Sequence, residues 1–274
     1  MVLFPNCKIN LGLNAICKRE DGFHDIETIF YPLSLQDVLE IIPSENNHSN
    51  FPVTFHSSGL TIGGEITDNV CVKAYYLLKN EFAALPPIQM HLHKVIPMGA
   101  GLGGGSADGA FALQLLNTLF TLKLSQQQLI DYALQLGSDC PFFIYNQPCF
   151  AVSRGEKMQE LKLDLSSFTI LLINPRIHVS TGWAFSQLTP HQPLKSVKQI
   201  IQQPISTWKD ELLNDFETPV MECFPEIKYL KEQLYHLGAI YASMSGSGST
   251  VFGIFEKGTF PMLHFPATYF VQIL

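Results

Sequence analysis

The chain has 274 residues, 46% of them hydrophobic, and a formal net charge of −7. That is enough apolar material for one large domain or two small ones. The acidic balance and the lack of a basic stripe argue against nucleic acid as a partner, so an anionic ligand has to be held by local groups and backbone dipoles.

No uninterrupted apolar run approaches a membrane span, and the opening MVLFPNCKIN has no signal-peptide pattern. The expectation is a cytoplasmic protein without a membrane partner. Cys7, Cys17, Cys71, Cys140, Cys149 and Cys223 form no C-x-x-C or C-x-x-H pair. They read as reduced, mostly buried thiols.

In chain order, residues 8–16 (KINLGLNAI) alternate Ile9, Leu11, Leu13 and Ala15 with Lys8, Asn10, Gly12 and Asn14. This is a strand with Lys8 and Asn10 on one face. The alternation alone makes that face the solvent side of an edge strand. Residues 18–24 (KREDGFH) form a polar turn, with Asp21-Gly22 suited to a hairpin. The turn ends in Phe23 and His24, a pair able to stack on and hydrogen-bond a planar ligand, or simply to face water. Strands continue over 26–42, a surface loop covers 44–50, and another strand covers 52–60. Residues 69–78 read as a helix with Asp68 or Asn69 as cap and Val70, Ala74, Leu77 and Leu78 on one stripe. Residues 89–96 read as a strand with His91 and His93 on one face. Two histidines fall short of the three or four ligands zinc takes, so that face is exposed or lines a pocket.

The densest signal follows. Pro97, Met98, Gly99, Ala100, Gly101, Leu102, Gly103, Gly104, Gly105, Ser106 and Ala107 include five glycines. A helix pattern with Phe111, Leu115, Leu116, Leu119 and Phe120 comes next. Glycines let backbone N–H groups approach a ligand closely. The helix adds unpaired N–H groups and the positive end of its dipole, and together these bind phosphate. Gly99, Gly101 and Gly104 satisfy G-x-G-x-x-G, but the dinucleotide fingerprint needs a second strand after the helix and an acid about 20 residues on. Here a second helix follows over 125–136, with Ser125 as N-cap, Gln128 completing a capping box and Gly137 ending it. No Gly-Lys-Ser/Thr follows the loop, which excludes a Walker A motif.

Asp139 lies in the short stretch GSDCPFF and reads locally as an N-cap or turn aspartate. The chain passes into its second half near 150–157. Residues 168–174 (FTILLIN) read as a buried strand. Thr181 is placed to cap a helix that starts there. Residues 189–209, polar and proline-containing, are expected to be mobile. Residues 211–237 read as two helices around Pro225. Strands over 239–244 and 250–255 flank a second glycine loop, Ser245-Gly246-Ser247-Gly248-Ser249, a hairpin turn open enough to face a ligand.

PMGAGLGGGSA (97–107), GSDCPFF (137–143) and MSGSGSTVFGIF (244–255), in that order, resemble the GHMP kinases, the superfamily of galactose, homoserine, mevalonate and phosphomevalonate kinases. KINLGL, the REDGFH turn and NPRIHVST narrow the resemblance to the branch acting on cytidine diphosphate methylerythritol in the non-mevalonate isoprenoid pathway. It runs from Lys8 to about Phe255. The resemblance implies an α+β, two-lobed GHMP kinase fold. The N-terminal lobe, residues 1–157, is similar to ribosomal protein S5 domain 2, and the C-terminal lobe, residues 158–274, is a ferredoxin-like α/β sandwich. It implies an ATP-dependent small-molecule kinase with Mg²⁺ as cofactor, the loop at 97–107 around the ATP phosphates, and Lys8 and Asp139 as catalytic residues. It further implies that Asn10, Phe23, His24, Thr181 and Phe185 bind the substrate, with the cytosine held by Phe23, His24 and Phe185. The family often has tyrosine at position 23, so Phe23 keeps the stacking without the hydroxyl. The alternatives are a GHMP kinase of homoserine or mevalonate type, or a nucleotide-binding regulator of the same fold without the chemistry.

Overall fold

The computed structural model describes residues 1–44, 52–259 and 265–274. All but Ser44 of the loop expected over 44–50 lies outside the described residues, apart from which the chain runs as follows. Strands β1 (Val2–Leu3), β2 (Asn6–Lys18), β3 (His24–Gln36), β4 (Val38–Pro43) and β5 (Val53–Gly59) lead to helix α1 (Val70–Glu81) and strand β6 (Ile88–Lys94). Helices α2 (Gly104–Leu119), α3 (Gln126–Leu136) and α4 (Cys140–Tyr145) precede β7 (Cys149–Ser153), β8 (Lys157–Glu160) and β9 (Phe168–Asn174). Then come α5 (Thr181–Ser186), α6 (Val197–Ile200), α7 (Trp208–Glu211), α8 (Glu217–Cys223) and α9 (Pro225–His236), and finally β10 (Tyr241–Met244), β11 (Val251–Glu256) and β12 (Phe270–Ile273). No helix among the described residues is long and apolar enough to cross a membrane.

The chain forms two compact units that interleave in sequence. The first comprises Met1–Cys7, Ser34–Met98 and Gly103–Asn146. Its sheet has the order β1-β4-β6-β5, with β4 antiparallel to β1 and β6, and β5 parallel to β6. In β6 the side chains of Ile88, Met90, Leu92 and Lys94 are buried, while Gln89, His91 and His93 are exposed. The alternation expected of a one-sided strand is met. Both histidines share the Ser58 hydroxyl at 3.0 Å. The helices begin where the sequence puts a cap. Asn69 Oδ1 accepts the Cys71 N–H at 2.9 Å, and Ser125 and Gln128 form the reciprocal capping box of α3. At Gly109 of α2 a Cβ would lie 2.5 Å from Val70 Cγ2, so this glycine allows α1 and α2 to approach closely.

The second unit comprises Lys8–Leu33, Gly99–Leu102 and Gln147–Leu274. One of its sheets runs β2-β3-β7-β8, the other β10-β11-β9-β12. All three pairings in the latter are antiparallel. With β9 to β12 counted as first to fourth, this is the strand order of a ferredoxin-like split βαβ sheet. Leu171, Ile173, Ala242, Met244, Val251 and Phe255 of the sheet meet Val220, Ile227, Leu230 and Leu234 of α8 and α9 in one core.

Three expectations change. β2 is buried on both faces from Asn6 to Ala15, so Lys8 and Asn10 face no solvent. Their polar atoms are satisfied by protein partners instead of water. Residues 189–209 are tied down rather than loose. Ser196 and Gln199 cap α6, and the Glu27 carboxylate accepts the Ser196 hydroxyl at 2.9 Å and the Val197 N–H at 3.0 Å. Trp208 is buried and donates its indole N–H to Gln203 O. Finally, Ser180 rather than Thr181 caps α5. Its hydroxyl accepts the Trp183 N–H, and Thr181 is the first helical residue.

Candidate functional site

The residues singled out by the sequence fall in both units, and the glycine loop contributes to each. In the first unit, Gly103 has a φ of 70° and stands as the N-cap of α2 with no side chain to offer. Glycine alone adopts that left-handed backbone without strain. The first N–H groups of α2 have no carbonyl within the helix to bond, and the helix runs 16 residues behind them. The two glycines that open the helix differ. Gly104 is buried, and a Cβ there would lie 2.7 Å from Ile96 Cγ2. Gly105 is exposed, and a Cβ there would meet nothing within 4 Å. The side open at Gly105 is thus the side on which an anion can reach the helix N-terminus.

Asp139 takes the N-cap position of α4 with a φ of −86° and makes no side-chain cap bond. It is half-buried. Next to it, burial pushes the Cys140 thiol up to about 12. A hydrogen bond with Ser106 opposes that rise and the Asp139 charge adds to it. The loop's one hydroxyl and the carboxylate are therefore both near this thiol.

In the second unit, Lys8 and Asn10 centre a buried polar network. Lys8 Nζ donates to Asn10 Oδ1 at 2.6 Å and to Gly101 O at 3.1 Å, and lies 5.2 Å from the Phe30 ring centroid. Asn10 Nδ2 donates to the Thr28 hydroxyl at 3.0 Å, and the Asn10 N–H donates to Ser245 Oγ at 3.2 Å. Ser245 in turn donates to Gly101 O at 2.8 Å. The first glycine loop thus leans on the second, and Gly101, with a φ of 77°, has no room for a side chain. A Cβ there would lie 1.9 Å from Ser245 O. Asn214 fixes the second loop from behind by donating to Met244 O at 2.7 Å and Gly246 O at 2.9 Å.

The aromatic residues do not all gather in one stack. His24 and Phe185 stack with centroids 5.1 Å apart and 23° between planes, and Phe216 meets Phe185 edge-on at 4.9 Å. Burial lowers the His24 pKa, with Lys18 adding to the effect, so the imidazole is neutral at pH 7. Phe23 stands apart from that pair, 49% exposed, with the Arg154 guanidinium 4.9 Å from its ring centroid. Thr181 shares a hydrogen bond with the Ser247 hydroxyl at 3.2 Å. In the sequence Ser245 stands out only as part of the Gly-Ser alternation at 245–249, Arg154 only as part of an Arg-Gly turn without an assigned role, and nothing marks Asn214.

The GHMP kinases N terminal domain matches residues 69–147, and the GHMP kinases C terminal domain matches residues 196–259. A relative from Bacteroides fragilis, a 4-diphosphocytidyl-2-C-methyl-D-erythritol kinase, is 51% identical over 256 residues, covering 93% of this chain and 92% of its own. One of the same name from Cytophaga hutchinsonii is 50% identical, covering 93% of each. A crystal structure of a 4-(cytidine 5'-diphospho)-2C-methyl-D-erythritol kinase superposes with a TM-score of 0.78 at 30% identity, covering 93% of this chain and 90% of the other. A mevalonate kinase from Methanococcus jannaschii superposes with a TM-score of 0.68 at 9% identity, covering 94% and 92%, a likeness of fold alone.

Proposed function

The chain belongs to the GHMP kinases, and on that premise we propose that it transfers the γ-phosphoryl group of ATP to the 2-hydroxyl of 4-diphosphocytidyl-2-C-methyl-D-erythritol. The products are the 2-phosphate and ADP, in cytoplasmic, non-mevalonate isoprenoid precursor synthesis. The observation that carries the reading is the 51% identity, over more than nine-tenths of both chains, to a relative named for this substrate. The reading assigns residues 1–157 to the ATP-binding half and 158–274 to the C-terminal half.

Phosphoryl transfer depends on positioning and charge neutralisation more than on covalent help. Asp139 orients the 2-hydroxyl and takes its proton as the oxygen–phosphorus bond forms and the bond to the ADP oxygen breaks. Lys8 brings a positive charge to the reacting oxygens, with its ammonium aimed by Asn10 and Gly101 O. The loop from Pro97 to Ala107 offers backbone N–H groups to the phosphates. The fit is supported by the glycine geometry: the chain bends at Gly99, Gly101 and Gly103 with positive φ and leaves Gly105 open. Mg²⁺, when bound, would neutralise charge on the phosphates. Among the described residues no three His, Cys, Asp or Glu side chains converge as a metal cage. Ser106, the one hydroxyl of the loop, is the residue that would help to hold the ion. Phe23 and Phe185 stack on the cytosine, His24 reads its edge, and Asn10 and Thr181 contact the rest of the substrate.

The test is ADP release by the purified protein with ATP and a panel of alcohols: the cytidylyl substrate, homoserine and mevalonate. Release with the cytidylyl substrate alone is expected. Release with homoserine or mevalonate alone would move the chain to another branch, and release with none of the three would mark a regulator.

The glycine loop gives its own prediction. Gly105→Ala meets no protein atom and replaces glycine inside a helix, so the fold should gain roughly 0.5–1 kcal/mol. The added methyl group points to the space assigned to phosphate, so ATP affinity should fall. A melting curve with an ATP-analogue titration checks both. Unchanged affinity would place the phosphates elsewhere.

A further inference from the structure

The glycine loop leaves β6 at one end and enters α2 at the other, and both ends are tied to one buried ammonium. Asp37 is fully buried at the start of β4. Its Oδ1 accepts the N–H of Val95 at 2.6 Å and of Ile96 at 2.9 Å, the two residues that carry the chain from β6 to Pro97. Its Oδ2 accepts Lys94 Nζ at 2.5 Å. The same ammonium donates to Asp108 Oδ2, in the second turn of α2, at 2.6 Å. Gly104 sits against it too, since a Cβ there would lie 3.1 Å from Lys94 Nζ. None of the three charged side chains is more than 3% exposed.

Such a cluster is a poor way to add stability. Desolvating three charges costs about what their attraction returns, and apolar replacements of similar volume are often as stable. The charges do not even balance. Two carboxyls share one ammonium, and Asp108 Oδ1 is buried with no hydrogen-bond partner. The carboxyls keep Lys94 charged despite burial, while burial pushes the Asp108 carboxyl up to about 7. What the cluster does supply is geometry. It fixes by short hydrogen bonds the direction in which the chain enters the loop and the place where α2 receives it. A loop that binds through backbone N–H groups needs that fixing, because no side chain of its own can correct a misplaced amide.

We propose that Asp37, Lys94 and Asp108 form a positioning clamp that sets the separation of the two ends of the glycine loop, so that its N–H groups meet the nucleotide phosphates already in register. This rests on the reading that the loop holds ATP. None of the three touches the substrate in this scheme; they act through the loop.

The test compares Lys94→Met and Asp108→Asn in the full chain. Lys94→Met keeps the length of the side chain and removes the bridge. Asp108→Asn keeps an acceptor for Lys94 and leaves a neutral Lys94–Asp37 pair, so it should fold even if the first variant does not. The readouts are the KM for ATP, the KM for the alcohol substrate and the melting temperature. A displacement of about 1 Å at a binding or catalytic site can cost on the order of 100-fold. Lys94→Met should raise the KM for ATP by roughly 10- to 100-fold and Asp108→Asn by roughly 3- to 10-fold. The KM for the alcohol should stay within about twofold of wild type. Lower melting temperatures with an unchanged KM for ATP would make the cluster structural only and overturn the clamp; Asp108→Asn alone decides this if Lys94→Met fails to fold. Wild-type protein that binds no ATP analogue would instead overturn the loop reading, and the clamp with it.

Discussion

Asp139→Asn is expected to lower turnover by roughly 10²- to 10⁴-fold, the range over which general-base catalysis contributes, with ATP affinity and melting temperature near wild type. The amide has the shape of the carboxylate and cannot take a proton from the 2-hydroxyl. Two features limit what the substitution costs the helix and its surroundings. Asp139 stands at the N-cap of α4 but makes no side-chain cap bond, so its replacement costs the helix no cap. It is also only half-buried, so an amide there leaves few unsatisfied groups. The check is steady-state turnover with the cytidylyl substrate, an ATP-analogue titration and a melting curve on the same preparation. Turnover near wild type would remove Asp139 from the mechanism. A matching loss of ATP affinity would make it a nucleotide-binding residue instead of the base.

What the sequence made legible was local. Caps, turns and glycine loops are set by residues a few positions apart, and Asn69, Ser125, Gln128 and Gly137 act where their spacing puts them. The strand β9 is also found where FTILLIN reads as one. What failed depended on distant partners. Alternation in β2 says that Lys8 and Asn10 share a face; it does not say that Ser245, 235 residues on, and Gly101 will cover it. Residues 189–209 looked loose because proline and polar side chains mark loops. They are held because Glu27, about 170 residues earlier, accepts bonds at the start of α6. Ser180 and Thr181 offer equivalent caps in sequence, and only the extended backbone of Ser180, with ψ of 120°, picks it out. Asp37, Lys94 and Asp108 are single charges scattered over 72 residues, and no spacing rule joins them. With the φ of 70° at Gly103, a valine there would test backbone strain before it tested phosphate binding, and Gly105 is the better probe.

Phe185→Ala should weaken binding of the cytidylyl substrate by roughly 5- to 150-fold, the equivalent of the 1–3 kcal/mol that a base–aromatic stack is worth by alanine substitution. The ring is well placed to be missed. It stacks on His24 at 5.1 Å and is held edge-on by Phe216 at 4.9 Å, so its orientation is set before any ligand arrives. Part of the ring also packs on the core of the second unit, so a lower melting temperature accompanies the loss. His24→Ala removes hydrogen bonds as well as a stacking face. The imidazole, neutral at pH 7 because burial lowers its pKa, offers one donor and one acceptor. A pocket that hydrogen-bonds a group rejects analogues lacking it more strongly than an apolar pocket does. His24→Ala should therefore narrow the gap in affinity between the cytidine and uridine forms of the substrate. The same lowered pKa sets the sign with acid. Protonation turns the acceptor into a donor, so cytidine affinity should hold at pH 7 and fall only as the pH drops below the usual histidine range. The measurement is a titration of each variant with the cytidylyl substrate, its uridine analogue and an ATP analogue. ATP binding should change little, because it is assigned to the loop at 97–107. Equal losses for all three ligands would mean general destabilisation. No loss for the cytidylyl ligand would reject the assignment of the cytosine to Phe23, His24 and Phe185 and leave the chain a GHMP kinase of another substrate.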